Sequence, residues 1–398
     1  MYILVINSGS SSLKFQLLEM KDKKLLAKGV CERIGIDGQY SFKTDKINIK
    51  DQQINIPSHE HAIQIVINNL TCDENGVISD IHEINAVGHR AVHGGEAFDN
   101  SAIINDDVLA EMRGLIKLAP LHNPPVIKGI EACSKIIPEV PQIAVFDTSF
   151  HSTIPDYAYI YPLPYSYYEK NKIRRYGFHG TSHNYVSREA AKFVNRDIKQ
   201  LKIVSCHMGN GTSITAIKSG KSVDTTMGFT PLEGPMMGTR SGTIDPAIVT
   251  YLMEEENMTA QQINDLLNKK SGFIGVSGIS NDWRDICVAA KKGDCRAKLA
   301  QNIVTTQIKK YIGSYAAVMG GIDILILTAG IGENSDDMRR LVTTDMEFLG
   351  IKINSELNEN MPRGINIDLS DTNAKVKTLV IPTNEELMIA EETMKKIV

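Results

Sequence analysis

One arrangement occurs twice in this chain, and it constrains the fold more than any other feature. Residues 2–6 form an apolar run. The turn Asn7-Ser8-Gly9-Ser10-Ser11-Ser12 follows, and Leu13, Phe15 and Leu17 then alternate with Lys14 and Gln16. A fully apolar run predicts a strand buried on both faces, and the alternation predicts a half-buried strand. Residues 24–31 read as a third strand, so the grammar is an antiparallel meander. At an offset of 200 the same order returns: apolar residues 201–206, the turn His207-Met208-Gly209-Asn210-Gly211, then strands over 213–217 and 221–225. Asn7-x-Gly9 lines up with His207-x-Gly209. Two copies of one unit, each opening with a polar-glycine hairpin, are the expected architecture.

Helices are expected between the strands. Residues 107–118 carry apolar side chains at helical spacing. Residues 247–254 follow Asp245 and Pro246, an N-cap and a first-turn proline. Residues 299–319 form a long amphipathic helix. The apolar run 324–327 reads as a buried strand that ends in a turn over 328–335, and a helix through Met338 and Leu341 comes next. Strands and helices mix throughout, so the class is α/β. Residues 154–168 hold six tyrosines and three prolines and cannot form one regular helix. A domain boundary is placed just before them, near residue 150.

Composition removes several classes of function. The 398 residues are 42% hydrophobic and 23% charged, as in a globular chain of two domains. Lys and Arg number 43 against 47 Asp and Glu, with no long basic run, so nucleic acid and anionic membrane are not expected partners. No apolar run approaches a membrane span, and the first residues lack a basic leader. The six cysteines form no CxxC pair, and they read as reduced thiols of a cytoplasmic protein.

Three glycine- and hydroxyl-rich turns, each after an apolar strand, suit phosphate, because backbone N–H groups can approach its oxygens with no Cβ in the way. They lie at 7–12, 209–213 and 330–335. A P-loop would need glycine where Thr215 stands, and a Rossmann fingerprint would need glycine where Ser335 stands. Arg90 and Arg240 sit among glycines and apolar residues. A buried guanidinium requires an anion, either a substrate or an internal carboxylate. Asp147, at the end of a strand, and Glu385, after Ile381-Pro382-Thr383-Asn384, are read either as acids able to hold Mg²⁺ or as helix N-caps. His179-Gly-Thr-Ser-His183 has the spacing of a zinc-binding pair but lacks its glutamate, so zinc is not expected.

These strings resemble the acetokinase family along essentially the whole chain. The match runs through Asn7-Ser8-Gly9-Ser10-Ser11-Ser12-Leu13-Lys14, residues 88–95, 120–125, 146–151, 174–183, 205–214, 227–246, 280–286, 329–334 and 382–389. Pro235 and Thr243 stand where other residues are commoner in the family, Trp283 stands at a position that varies in it, and none removes a charged group. The resemblance implies two duplicated ribonuclease H-like domains of the actin-type ATPase kind with an interdomain nucleotide cleft. Domain I is expected over 1–150 plus 385–398, and domain II, with nucleotide binding and dimerisation, over 151–384.

It further implies transfer of the ATP γ-phosphoryl to acetate, giving ADP and acetyl phosphate, with Mg²⁺ as cofactor and Mn²⁺ as an allowed substitute. Propionate or another short-chain acid is the alternative substrate. Asp147, His179, Arg240 and Arg90 carry catalysis. Arg90, Val92, Leu121, Phe178 and Pro231 take the carboxylate substrate and its methyl group. Lys14, His207, Met208, Gly209, Asn210 and Gly211 contact phosphates. Asp282, Trp283 and Arg284, with Gly330, Ile331, Gly332, Glu333 and Asn334, frame the adenosine. Asn7 and Glu385 support the metal. A homodimer is expected.

Overall fold

The computed structural model describes residues 1–120 and 122–398 and divides into two compact units. Met1–Phe150 with Asn384–Val398 form the first, and His151–Thr383 the second.

The first unit holds an eight-stranded sheet. Its strands are β1 (Tyr2–Ser8), β2 (Ser12–Glu19), β3 (Lys24–Glu32), β4 (Gln39–Thr44), β5 (Asn48–Gln53), β6 (Ile84–Ala91), β7 (Ala102–Ile103) and β8 (Gln142–Phe146), in the order β5-β4-β3-β2-β1-β6-β8-β7. β1 pairs antiparallel with β2 and parallel with β6, and β6 pairs parallel with β8. Alternate residues of β1 face two cores. Leu4 and Ile6 pack with residues of helices His59–Leu70 and Asn123–Ile136. Ile3 and Val5 pack against Ile389 and Ala390 of the C-terminal helix Glu385–Ile397. That burial on both faces is why β1 is apolar throughout, and each such side chain contributes roughly 1.5–3 kcal/mol. The C-terminal helix crosses β6 at Gly88, where a Cβ would stand 2.4 Å from Thr393 Oγ1.

The second unit repeats the plan. Its strands are β9 (Lys202–Met208), β10 (Thr212–Lys218), β11 (Lys221–Thr225), β12 (Ile324–Thr328), β13 (Ile367–Asp368) and β14 (Lys377–Val380), in the order β11-β10-β9-β12-β14-β13. Again the first strand pairs antiparallel with the next and parallel with a later one. β3-β2-β1-β6-β8 and β11-β10-β9-β12-β14 are therefore the same order, and the duplicated α/β fold expected from the hairpin grammar is present. Asn7 faces Lys14 across the first hairpin and His207 faces Ser213 across the second, so the second hairpin is one residue shorter than the 200-residue offset implies. The helix Cys295–Met319 covers this sheet with Ala297, Ala300, Val304, Ile308, Ile312, Tyr315 and Met319, spaced by three or four.

Two local expectations need correction. Residues 329–334, read as a glycine turn, form a short helix, Ala329–Asn334. The Glu333 carboxylate accepts from the Ala329 N–H (2.8 Å) and the Thr383 N–H (3.0 Å), anchoring the first turn despite Gly330 and Gly332. The long helix starts at Cys295 rather than 299, because the Asp294 side chain accepts from the Ala297 N–H at 2.7 Å and caps it there.

Candidate active site

In the first unit the candidate residues Arg90 and Asp147 converge at the carboxyl ends of parallel strands. Arg90 lies near the end of β6, and Asp147 follows β8 directly. The Asp147 N–H donates to the Ala91 carbonyl at 2.8 Å, holding the two strand ends together. Arg90 Nη2 meets Asp147 Oδ2 at 2.5 Å, and Arg90 Nε lies 3.6 Å from Glu385 Oε2. Arg90 thus has internal carboxylates, one of the two readings its sequence setting allowed. Neither acid is a helix N-cap: Asn384 caps the C-terminal helix, its side chain accepting from the Leu387 N–H, and Glu385 is the first helical residue.

Asp147 is 1% exposed and the side chains of Arg90 and Glu385 are each 22% exposed, so the cluster is largely dry. Burial pushes the Glu385 carboxyl up to about 7. Arg90 opposes that shift, Asp147 and Glu386 add to it, and Lys14 lowers it. Arg90 is held above its ordinary range, chiefly by Asp147. Asn7 and Lys14 line a groove of about 310 Å³ on the same unit, with Glu386 at its edge. Val92 is half-buried just beyond β6. Leu121 lies outside the described residues.

In the second unit a polar cluster surrounds the β9–β10 hairpin. His179 precedes helix Gly180–Phe193 with φ of 54°, a left-handed conformation that costs energy for a residue with a Cβ. Its Nδ1 lies 2.9 Å from Ser213 Oγ, and its ring stacks on His207 at 4.1 Å. His207 Nδ1 lies 2.8 Å from Ser182 Oγ. Arg240 donates to the Pro231 carbonyl at 3.1 Å. Among the described residues no carboxylate pairs with Arg240, and desolvation lowers its pKa. A half-buried guanidinium without an acid is a waiting anion site. Gly211 brings the hairpin onto both groups: a Cβ there would lie 3.3 Å from Arg240 Nη1 and 3.4 Å from His179 Cε1. Phe178 is buried and Pro231 half-buried.

The same hairpin borders a cleft of about 710 Å³. Gly209, Asn210, Asp282, Trp283, Arg284, Gly330, Ile331 and Asn334 line it. Asp282 caps helix Trp283–Lys291 and pairs with the exposed Arg284. Trp283 is 3% exposed and donates from Nε1 to Ser335 Oγ at 2.8 Å. Three expected contacts do not present side chains here. Met208 belongs to the core of the second unit. Gly332 is buried, with its Cα hydrogens turned toward Met208 and Leu327. Glu333 is occupied by backbone amides. The cleft also gains Cys287 and Lys291, which were not singled out, and Ser335 of the phosphate turn lines it too. Positions 283, 287 and 291 repeat every four residues and so share one helix face, a signal present in the sequence.

A cleft of about 710 Å³ bordered by a glycine hairpin, beside an arginine with no carboxylate partner among the described residues, has the chemistry of a phosphoryl-transfer enzyme. Comparison with known proteins narrows that class. The model of the acetokinase family matches residues 2–391. The acetate kinases of Thermoanaerobacter pseudethanolicus and Clostridium acetobutylicum are each 56% identical, the alignments covering 100% and 98% of this chain and 99% and 97% of those proteins. The crystal structure of Porphyromonas gingivalis acetate kinase is 46% identical with a TM-score of 0.95, covering both chains in full. A propionate kinase structure from Francisella tularensis is 41% identical with a TM-score of 0.91, over 99% of each chain. The chain is a kinase that belongs to the acetokinase family.

Proposed function

We propose that this enzyme transfers the γ-phosphoryl of ATP reversibly and directly to acetate, giving acetyl phosphate and ADP. The single observation that carries this reading is Arg240, half-buried with no acidic partner among the described residues and held beside His179 and the Gly211 turn. An in-line transfer spreads negative charge over three equatorial oxygens, and Arg240 and His179 supply fixed donors for it. Acetate is already ionised at neutral pH, so no strong base is required. Asp147 then serves electrostatics and positioning, holding Arg90, whose remaining donors take the carboxylate substrate. Trp283, Ile331 and Asn334 take the adenosine in the cleft, and Lys14 with Gly209, Asn210 and Gly211 serves the phosphates. Val92, Leu121, Phe178 and Pro231 select the methyl group.

The residues of the first unit suit Mg²⁺. Asn7, Asp147 and Glu385 offer only oxygen donors, and Mg²⁺ characteristically takes one or two carboxylates with water and substrate phosphate completing its shell. Asn7 and Glu385 would hold it, and Mn²⁺ accepts the same donors. Bound there, the ion neutralises charge on the transferring phosphoryl group. Glu385 must be ionised for that role, so Arg90 and Lys14 serve it by opposing the upward shift.

The helix Ala247–Glu255 has no buried residue and exposes Ile248, Tyr251 and Met253. We assign that face to a second copy of the chain, making a homodimer. All six cysteines are free, consistent with the cytoplasm. No helix among the described residues is long and apolar enough to cross a membrane.

The reverse reaction tests the proposal. ATP should form from ADP and acetyl phosphate in the presence of Mg²⁺ and stop with excess EDTA. Failure to form ATP from a chain that still binds ADP would refute it.

A further inference from the structure

The polar cluster of the second unit contains a continuous hydrogen-bonded chain. Ser205 Oγ lies 2.9 Å from His183 Nδ1. His183 Nε2 lies 2.8 Å from Ser213 Oγ, and Ser213 Oγ lies 2.9 Å from His179 Nδ1. Ser205, His183 and Ser213 are each 0% exposed, so no water competes for these links. A serine hydroxyl has one proton, and a neutral imidazole has one N–H and one acceptor nitrogen. Among the described residues Ser213 Oγ meets only these two imidazoles, so its one proton goes to one of them and the chain runs in one of two directions. Either every donor points toward His179, or every donor points away from it.

We infer that Ser205, His183 and Ser213 are positioning residues that hold His179 as the neutral Nε2–H tautomer. In that direction the Ser205 O–H donates to His183 Nδ1, His183 Nε2–H donates to Ser213, and the Ser213 O–H donates to His179 Nδ1. His179 then carries its proton on Nε2, the form that can donate to a transferring phosphoryl oxygen; this inference rests on the proposed function above. The opposite direction leaves Nε2 without a proton or makes His179 a cation. A cation there would stand 4.1 Å from the His207 ring and next to Arg240, which already supplies positive charge. His183 is suited to a neutral relay: burial, with His151 and His207 nearby, pushes its pKa well below the usual range. His151 does not compete for the chain, because its Nδ1 and Nε2 bind Ser222 and the Phe178 carbonyl. The second histidine of the 179/183 pair thus acts on the first through a serine.

The test is ¹⁵N NMR of the full chain labelled at histidine, near neutral pH, without nucleotide or acid, with the His179 signals assigned by loss in His179→Asn. The expected spectrum has His179 Nδ1 unprotonated and Nε2 protonated. A protonated Nδ1, in either the other tautomer or the cation, would overturn the inference. Ser213→Ala should convert the signal to a mixture of tautomers. It should lower kcat roughly ten- to a hundredfold with KM for ATP unchanged, less than the ~10²–10³ expected for losing the donor itself. Ser213→Thr should restore both readouts. If Ser213→Ala does not fold, Ser205→Ala should shift the same equilibrium from two links away. Unchanged kcat in a folded Ser213→Ala would refute the positioning role. The spectrum of the wild type requires no kinase activity, so a correct tautomer in an inactive enzyme would count against the proposed function and leave the chain of donors standing.

Discussion

Glu385→Gln offers a quantitative probe of the charge cluster around Arg90. Glu385 has its carboxyl raised from 4.5 to about 7, first by burial, with Asp147 and Glu386 adding and Arg90 and Lys14 opposing. The folded state therefore holds a proton that the unfolded state has already released between pH 4.5 and 7. Stability supplied by that proton is fully present below pH 4.5 and is lost as pH rises through 7. With the folded-state value raised to about 7, the linkage relation gives a loss on the order of 2–3 kcal/mol between pH 5 and pH 8. Glutamine cannot titrate. Urea unfolding of wild type and Glu385→Gln, followed by far-ultraviolet circular dichroism in EDTA, compares the charge cluster with and without this titrating carboxyl. Relative to the variant, the wild type should lose stability on the order of 2–3 kcal/mol over that range. Added Mg²⁺, which favours the ionised carboxylate, should shrink the difference for the wild type only. A stability difference that does not change with pH would refute the assignment of a raised Glu385.

Further consequences concern other parts of the site. Asp147→Asn should lose most activity at saturating Mg²⁺ and near-normal kcat would contradict its role, while Asp147→Ala should destabilise the fold by roughly 3–5 kcal/mol in thermal or chemical unfolding, because it strips Arg90 of its closest partner. Arg240→Ala should lower kcat by about 10²–10³ in steady-state assays and destabilise the fold less than Asp147→Ala, since it loses its hydrogen bond to the Pro231 carbonyl but no ion pair among the described residues. Gly88→Val should force the C-terminal helix from β6, where Thr393 and Ile389 already touch the glycine, costing about 1–3 kcal/mol in unfolding and raising the Mg²⁺ requirement through displaced Glu385. Trp283 is the only tryptophan and lines the cleft, so ATP should change the intrinsic fluorescence and acetate alone should not.

The duplicated hairpins were legible because apolar runs and alternation are local signals. β1 is apolar since both its faces are covered, and the same holds for β9, whose residues are nearly all buried. The helix Ala329–Asn334 was not legible. Two glycines argue against it locally, and it stands because Glu333 holds its first amide and Arg339 donates to the carbonyls of Gly332 and Glu333. Those anchors are side-chain contacts within ten residues, and the same Glu333 carboxylate also accepts from the distant Thr383 N–H. The unusual settings of Arg90 and Arg240 were visible among their glycines, but their different fates were not. Arg90 finds Asp147 and Glu385 only through the parallel pairing of β6 with β8 and the return of the C-terminal helix. Ser205 and Ser213 fell inside the family string 205–214, and Ser213 inside the phosphate turn 209–213, but nothing in the sequence linked either to His183. They lie on adjacent strands and are joined through a helix residue, His183, that the sequence places beside neither.

The central claim is that a short carboxylate accepts the phosphoryl group, and trapping the product with hydroxylamine tests it most directly. Acetate, propionate and butyrate would be compared side by side with ATP and Mg²⁺, and acyl hydroxamate measured. One methylene in an apolar pocket is worth about 1–3 kcal/mol, so acetate should give the strongest signal, propionate a weaker one and butyrate the weakest. A stronger signal with propionate would keep the chemistry and overturn the substrate. No hydroxamate from any of the three acids, with protein that still binds ATP, would contradict the account.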